Sequence, residues 1–88
     1  MANPDTTERT SDLYYASYLH AAGCVFIKCE RDQQSSTRVH FLLDIEKSGK
    51  TLDVLRAGWV NGDACVPARA LTEAIGRFKK LVHGVARD

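Results

Sequence analysis

The sequence predicts a small α+β domain in which a two-stranded antiparallel hairpin packs on helices, in the order α-β-β-α-α. Two patterns support this fold class. Residues 38–45 alternate between apolar and polar side chains, with Leu42 as the only exception, which is typical of a strand with one buried face. Residues 66–85 carry apolar side chains at helical spacing, which form one stripe that must be buried. The predicted inward residues of the strand are Val39, Phe41, Leu43 and Ile45.

The first helix is predicted to begin with Thr10 or Ser11 as its N-cap and to end at Gly23. Asp12 then lies in the first turn, where a carboxylate suits the positive end of the helix dipole. A glycine can adopt the left-handed conformation that closes a helix.

The residues before this helix are polar and show no apolar periodicity. Residues 1–10 are therefore predicted to be a flexible tail, because they offer no packing that would hold them. A single domain is expected over residues 11–88, since 88 residues with 44% apolar composition suffice for one modest core and no more.

Tyr14 and Tyr18 lie one turn apart and give the first helix a second, aromatic face. Few positions on this helix carry a polar side chain that would face water. A helix that is apolar all round either lies between two layers of a domain or exposes its aromatic patch to a partner. Both interpretations remain open from the sequence, and the two tyrosines are the candidate protein-interaction residues.

The hairpin is predicted from two runs, 24–30 and 38–45, joined by the polar connection 31–36. Two strands alone are marginally stable in water, so helices must cover their apolar face or another chain must extend an edge. We expect the first and third helices to provide this cover.

The middle helix is predicted to begin after Thr51 as its N-cap and to stop at Asn61-Gly62. Leu52, Leu55 and Trp59 share one face, and Trp59 is expected to enter the common core. The last helix has Pro67 as its first residue, a position where the missing amide hydrogen is not needed.

Several short motifs follow one another along the chain: Ser11-Asp12-Leu13, Trp59-Val60-Asn61-Gly62, Ala68-Arg69-Ala70 and Phe78-Lys79-Lys80-Leu81. With these motifs the chain resembles, over most of residues 11–83, a family of short bacterial and phage domains of unknown function. The resemblance implies the same element order and a bacterial or phage setting. It implies no activity and no catalytic residues.

The bulk composition excludes several classes of protein. A net charge of +1 argues against a partner recognised by charge alone. No apolar run approaches the roughly 20 residues that span a bilayer, and the first residues do not show the basic-then-apolar pattern expected of a signal peptide. The odd number of cysteines, at positions 24, 29 and 65, suits reduced thiols. We therefore expect a cytoplasmic protein that does not contact a membrane.

No motif for catalysis, metal binding or cofactor binding stands out, so we expect no enzyme, no metal and no cofactor. Cys24 and Cys29 have the wrong spacing for a zinc knuckle. The acidic residues Asp44 and Glu46 lack the further acid that a magnesium-dependent nuclease needs. The segment 49–51 copies only the end of a phosphate-binding loop and is more typical of a turn and an N-cap.

Two functions remain. The first is a small non-catalytic interaction module that forms a homodimer or binds another protein through Tyr14 and Tyr18. The alternative is accessory nucleic-acid binding by the basic last helix, with Arg38 or His40 of the hairpin as additional contacts. A solvated helix face is the more ordinary explanation of these charges, because Glu73 can pair with its basic neighbours. The candidate nucleic-acid contacts on the helix are Arg69, Arg77, Lys79 and Lys80.

Overall fold

Three strands and three α-helices make up the domain in the computed structural model, which describes residues 6–34 and 38–87, with the backbone alone at 85–87. The α+β class is confirmed. The elements are β1 (Thr7–Thr10), α1 (Leu13–Ala21), β2 (Val25–Arg31), β3 (Val39–Asp44), a 3-10 turn (Glu46–Ser48), α2 (Leu52–Asn61) and α3 (Ala68–Arg87).

The sheet has three strands, in the order β1-β3-β2, and both pairings are antiparallel. The predicted two-stranded hairpin β2–β3 is present, but β1 adds a third strand on the other side of β3. The backbone pairing extends past β1, where the Ile45 amide donates to the Thr6 carbonyl at 2.8 Å. The sheet therefore begins inside the segment that was predicted to be a tail.

The prediction of a flexible tail over residues 1–10 is wrong for Thr7–Thr10, and residues 1–5 lie outside the described residues. The reason is that β1 places Glu8, opposite Leu43, on the buried side of the sheet. A strand whose inward side chain is a carboxylate shows no apolar alternation, so its sequence cannot be distinguished from a loop.

The alternation in β3 is confirmed, because Val39, Phe41 and Leu43 are all buried on the side of the sheet that contacts α1 and α3. The exception, Leu42, lies on the opposite side, directly between Arg9 of β1 and Lys28 of β2. The long aliphatic parts of these two charged side chains can cover a leucine while their charged ends stay in water. Leu42 is accordingly only partly exposed.

Phe78 joins α3 to the sheet. Its ring is fully buried, and its centroid lies 5.2 Å from that of Phe26, 5.2 Å from that of Phe41 and 5.7 Å from that of His20. The predicted stripe of α3 thus faces the core, with Ala74 buried beside Phe78. The last stripe residue, Val85, has no described side chain.

The helix caps follow the predicted chemistry with one shift. Asp12, and not Thr10 or Ser11, is the N-cap of α1, and its Oδ1 accepts from the amides of Tyr14 at 2.9 Å and Tyr15 at 3.2 Å. The shift follows from β1, which holds Thr10 in the sheet.

The residues that cap α2 are those predicted from the sequence. The Thr51 hydroxyl accepts from the Val54 amide at 3.3 Å, and Gly62 ends the helix with φ of 76°. A positive φ of this size suits glycine, which has no β-carbon to clash with its own backbone.

We expect Phe78→Ala to lower the free energy of unfolding by about 3–5 kcal/mol, because it empties the centre of the core. Trp59→Ala is expected to lower the free energy of unfolding by clearly less, since Trp59 remains 36% exposed and Leu55 is the fully buried residue of α2. The prediction that Trp59 fills the common core is therefore wrong for part of its side chain. Urea unfolding of both variants measures the difference, and equal losses would contradict this packing.

Candidate protein-interaction surface

The helix α1 is enclosed by the rest of the domain. Five consecutive residues, 15–19, are buried, which on a helix means burial on almost every side. Ser17 is among them, and its hydroxyl donates to the Leu13 carbonyl at 2.7 Å, so its burial leaves no unpaired polar group. Of the two interpretations of this apolar helix, burial between layers is the one that the structure shows.

The structure separates the two tyrosines that were predicted to act together. Tyr18 is only 5% exposed, and its hydroxyl donates to the Leu55 carbonyl of α2 at 3.3 Å. Tyr14 is 53% exposed. A partner surface formed by both tyrosines is therefore wrong, because the side of α1 that bears Tyr18 packs against α2.

An ion pair between the buried Glu8 of β1 and the partly exposed Arg56 of α2 connects these two elements, and Tyr15 of α1 joins it. The carboxylate of Glu8 is bound by Arg56 at two points, Nε to Oε2 at 2.7 Å and Nη2 to Oε1 at 2.8 Å. The Tyr15 hydroxyl donates to the same carboxylate at 2.9 Å. All described buried side-chain polar atoms, these included, have a hydrogen-bond partner.

Burial by itself would raise the pKa of Glu8, but the hydrogen bonds from Arg56 and Tyr15 outweigh it and leave this pKa below its ordinary value. Burial and the neighbouring Glu8 carboxylate raise the pKa of the Tyr15 phenol. At neutral pH, Glu8 is therefore an anion and Tyr15 a neutral donor. Reasoning from the sequence missed this network, since Glu8 and Arg56 are 48 residues apart and no local spacing relates them.

We expect Glu8→Gln to lower the free energy of unfolding at pH 7 by about 1.5–3 kcal/mol, the usual range for hydrogen bonds to a charged group. A carboxyl whose pKa is lowered in the folded state stabilises the fold above its unfolded pKa and loses that contribution as the pH falls. The difference between wild type and Glu8→Gln should therefore shrink from about pH 5 downward. Denaturant unfolding of both proteins at a series of pH values measures this difference in the free energy of unfolding.

The matched control is Glu30→Gln, which removes an exposed carboxylate that pairs with Arg9 at 3.3 Å and with Lys28 at 3.5 Å. This change should lower the free energy of unfolding by less than about 1 kcal/mol. A loss at Glu8 no larger than the loss at Glu30, or one that does not depend on pH, would contradict the role of the buried Glu8 carboxylate.

The helix α2 carries apolar side chains on two sides, with the polar Asp53 and Asn61 also on the outer one. Its inner side buries Leu55, while Val54 is 58% exposed, Val60 is 80% exposed, and Ala57 is exposed between them. Three residues spaced by three lie within a sector about 120° wide on a helix. We call Val54, Ala57 and Val60 the α2 outer face.

A groove of about 250 Å³ adjoins this face. It is lined by six residues, and the rings of Tyr15 and Trp59 in it have centroids 5.7 Å apart. Arg56 also lines the groove, so the ion pair with Glu8 holds one of its walls in place. The α2 groove is defined by Thr10, Asp12, Tyr15, Arg56, Trp59 and Val60, and Val60 makes it continuous with the α2 outer face.

A side chain of α1 contacts α2 at Gly58. A β-carbon at Gly58 would lie 3.3 Å from the Tyr18 hydroxyl, so glycine leaves room for this side chain. The ring of Tyr18 is also stacked on Trp59, with centroids 5.4 Å apart. The inner side of α2 is thus held by side chains of α1, and the α2 outer face points away from them.

The four predicted nucleic-acid contacts of α3 are all exposed. Arg69 pairs with Glu73 at 3.1 Å, whereas Arg77, Lys79 and Lys80 make no ion pair within the part of the chain that the structure describes. His40 does not join them, because it lies on the side of the sheet that faces away from the helices. The predicted extension of the basic site to His40 is therefore wrong.

His40 has a local structural role. Its Nε2 donates to Asp32 Oδ2 at 2.8 Å, and the Gln34 amide donates to the other carboxylate oxygen. These hydrogen bonds, that from Gln34 foremost, lower the pKa of Asp32. They fix residues 32–34, directly after β2.

The remaining candidate chemistry has structural explanations. Asp44 Oδ1 accepts from the amide of Glu46, the first residue of the 3-10 turn, and Gly49 closes that turn with φ of 74°. Burial raises the pKa of the Cys24 thiol. No three potential metal ligands are grouped among the described residues.

None of the helices in the described part of the chain is both long and apolar enough to cross a membrane.

Comparisons of the chain with protein-family models, with curated proteins and with solved structures find no match in any of the three. The resemblance to short bacterial and phage domains thus stays a prediction.

Proposed function

We propose that this protein is a non-catalytic protein-interaction module, in a bacterial or phage setting, that docks through the α2 outer face and the α2 groove. One observation supports this most strongly. Of the six large apolar side chains that the described residues expose, three lie on the ten-residue helix α2: Val54, Trp59 and Val60. Contiguous exposed apolar surface is typical of an interaction site.

The energetics favour docking at this place. Burying a valine completely is worth roughly 1.5 kcal/mol relative to leaving it in water. A partner that buries the two exposed valines of α2 would therefore stabilise the complex by up to this amount for each. Trp59 adds a partly exposed aromatic ring, a residue type enriched in interface cores. The ion pair of Arg56 with Glu8 holds the helix, so little ordering is needed on binding.

The test is site-specific photo-crosslinking in cells that produce the protein. A photo-reactive amino acid at position 60, on the α2 outer face, is expected to give a discrete protein adduct. The same amino acid at position 47, an exposed residue of the 3-10 turn, should give none. Adding Val54→Asp to the position-60 variant should remove the adduct, since a charge in the interface core must be desolvated.

Circular dichroism checks that the Val54→Asp variant is folded. Adducts of equal yield at positions 60 and 47, or none at either, would contradict a docking surface on α2.

A second candidate function is nucleic-acid binding by α3. The observation that favours it is the set of three exposed cations, Arg77, Lys79 and Lys80, that no described acidic group neutralises. Such a cluster can contact phosphates but carries no sequence information by itself.

Fluorescence anisotropy with labelled single- and double-stranded DNA at about 50 mM salt tests this function, because few phosphate contacts give weak and steeply salt-dependent binding. Wild type should bind, and Arg77→Glu with Lys80→Glu should not. The control, Lys47→Glu with Lys50→Glu, makes the same charge change away from α3 and should bind like wild type. Equal behaviour of the two double variants would exclude α3 as the contact.

A further inference from the structure

We propose that the outer edge of β2 pairs with the same edge of a second copy of this chain, in antiparallel orientation and centred on Cys29. The two three-stranded sheets then form one continuous sheet. This contact lies on the sheet and not on α2, so it goes beyond the proposed function and is tested separately from it.

The backbone of β2 has a hydrogen-bonding edge that faces outward. In the strand order β1-β3-β2, β2 is outermost, and no strand among the described residues pairs with its other side. The Asp32 amide, directly after β2, donates to the Arg38 carbonyl at 2.9 Å, on the side of β3. No register shift separates residues 28–32, and amide directions alternate along a strand. The amide and carbonyl of Cys29 therefore point to the outer edge, where an antiparallel partner can exchange two hydrogen bonds with them.

The packing of α3 leaves this edge open. The ring of Phe78 lies 5.2 Å from that of Phe26 on β2 and 5.2 Å from that of Phe41 on β3. The helix α3 therefore lies over the space between these two strands and not beyond β2. The opposite edge of the sheet is β1, which has only four residues, and short edge strands resist pairing. With seven residues, β2 is the edge from which the sheet can extend.

The charges of β2 identify a second copy as the occupant. Lys28 and Glu30 flank Cys29 and lie opposite Leu42 and His40 of β3, on the side of the sheet that faces away from the helices. In an antiparallel pair centred on Cys29, Lys28 lies directly opposite the partner's Glu30, and Glu30 lies opposite the partner's Lys28. Opposite charges at such cross-strand positions stabilise a sheet, and this interface contains two of these pairs.

The same charges select the register. Pairing centred on Lys28 would place two lysines directly opposite each other, and pairing centred on Glu30 would place two glutamates there, both of which are destabilising. In the single chain, Lys28 contacts Glu30 at 3.5 Å in an exposed ion pair. Exposed pairs of this kind contribute little, so Lys28 can turn to the partner's carboxylate at small cost. Arg9 approaches Glu30 from β1 and therefore does not separate the paired strands.

Sedimentation equilibrium of the purified full chain, from about 5 µM to 1 mM, measures the association. Wild type should change from monomer to dimer over this range. Lys28→Glu should weaken the dimer roughly tenfold or more, because both cross-strand pairs then join like charges. Adding Glu30→Lys restores opposite charges in reversed order, so the double variant should return to within severalfold of the wild-type affinity.

The matched control is Lys47→Glu, which makes the same change of charge on the 3-10 turn and should dimerise like wild type. Circular dichroism checks that the variants are folded.

A second measurement tests the centre of the pairing. Opposite residues that exchange hydrogen bonds in an antiparallel pair have Cα atoms about 5.5 Å apart, a separation that a disulfide can bridge. Cys65→Ser removes the exposed thiol, and Cys24 is buried, so mild oxidation of this variant should link two chains through Cys29. Adding Cys29→Ser should abolish the linked dimer, and adding Lys28→Glu should lower its yield at least severalfold.

Three results would overturn the inference. A chain that stays monomeric to about 1 mM does not pair with itself. A dimer that Lys28→Glu leaves as tight as wild type is held by another surface. A charge-reversed double variant no tighter than Lys28→Glu excludes the register centred on Cys29. None of these results bears on the crosslink at position 60, so the proposed function of α2 can fail or stand independently.

Discussion

The buried carboxylate of Glu8 is the constraint on which much of the structure depends. An unpaired charge at this depth would be strongly destabilising, so Glu8 requires the guanidinium of Arg56 and the hydroxyl of Tyr15 at hydrogen-bonding distance. These three residues belong to β1, α2 and α1, respectively. Satisfying one carboxylate therefore positions the first strand on the edge of the sheet and α2 against α1. It also forms one wall of the α2 groove.

The position of α1 explains why the exposed apolar surface is on α2. Because α1 is apolar on nearly all sides, it lies between the sheet, α3 and α2, with only Tyr14 largely exposed. The helix outside it, α2, then has one side against Tyr18 and the other in water. The water-facing side carries Val54, Ala57 and Val60 beside the polar Asp53 and Asn61, so the domain presents a partly apolar helix face at its periphery.

Part of this surface could have been found in the sequence. Val54, Ala57 and Val60 follow an i, i+3, i+6 spacing that is as regular as that of Leu52, Leu55 and Trp59, but a short helix with two apolar sides gives no indication of which side is inward. The groove could not have been found, because Tyr15, Trp59 and Thr10 meet only after α1 and α2 have packed. The same holds for the separation of Tyr14 from Tyr18, since helical spacing alone puts them on one face.

By itself the sequence determined the α+β class, the positions of the helices, the caps at Thr51 and Gly62 and the inward residues of β3. Each of these depends on local physics: side-chain periodicity, a hydroxyl near the first amides, or a glycine at positive φ. Only the tertiary structure decided that Thr7–Thr10 is a strand and that α2 carries the candidate surface. The first depends on the contact of Glu8 with Arg56 across 48 residues and the second on the packing of α2 against Tyr18, and neither contact has a counterpart in any local pattern.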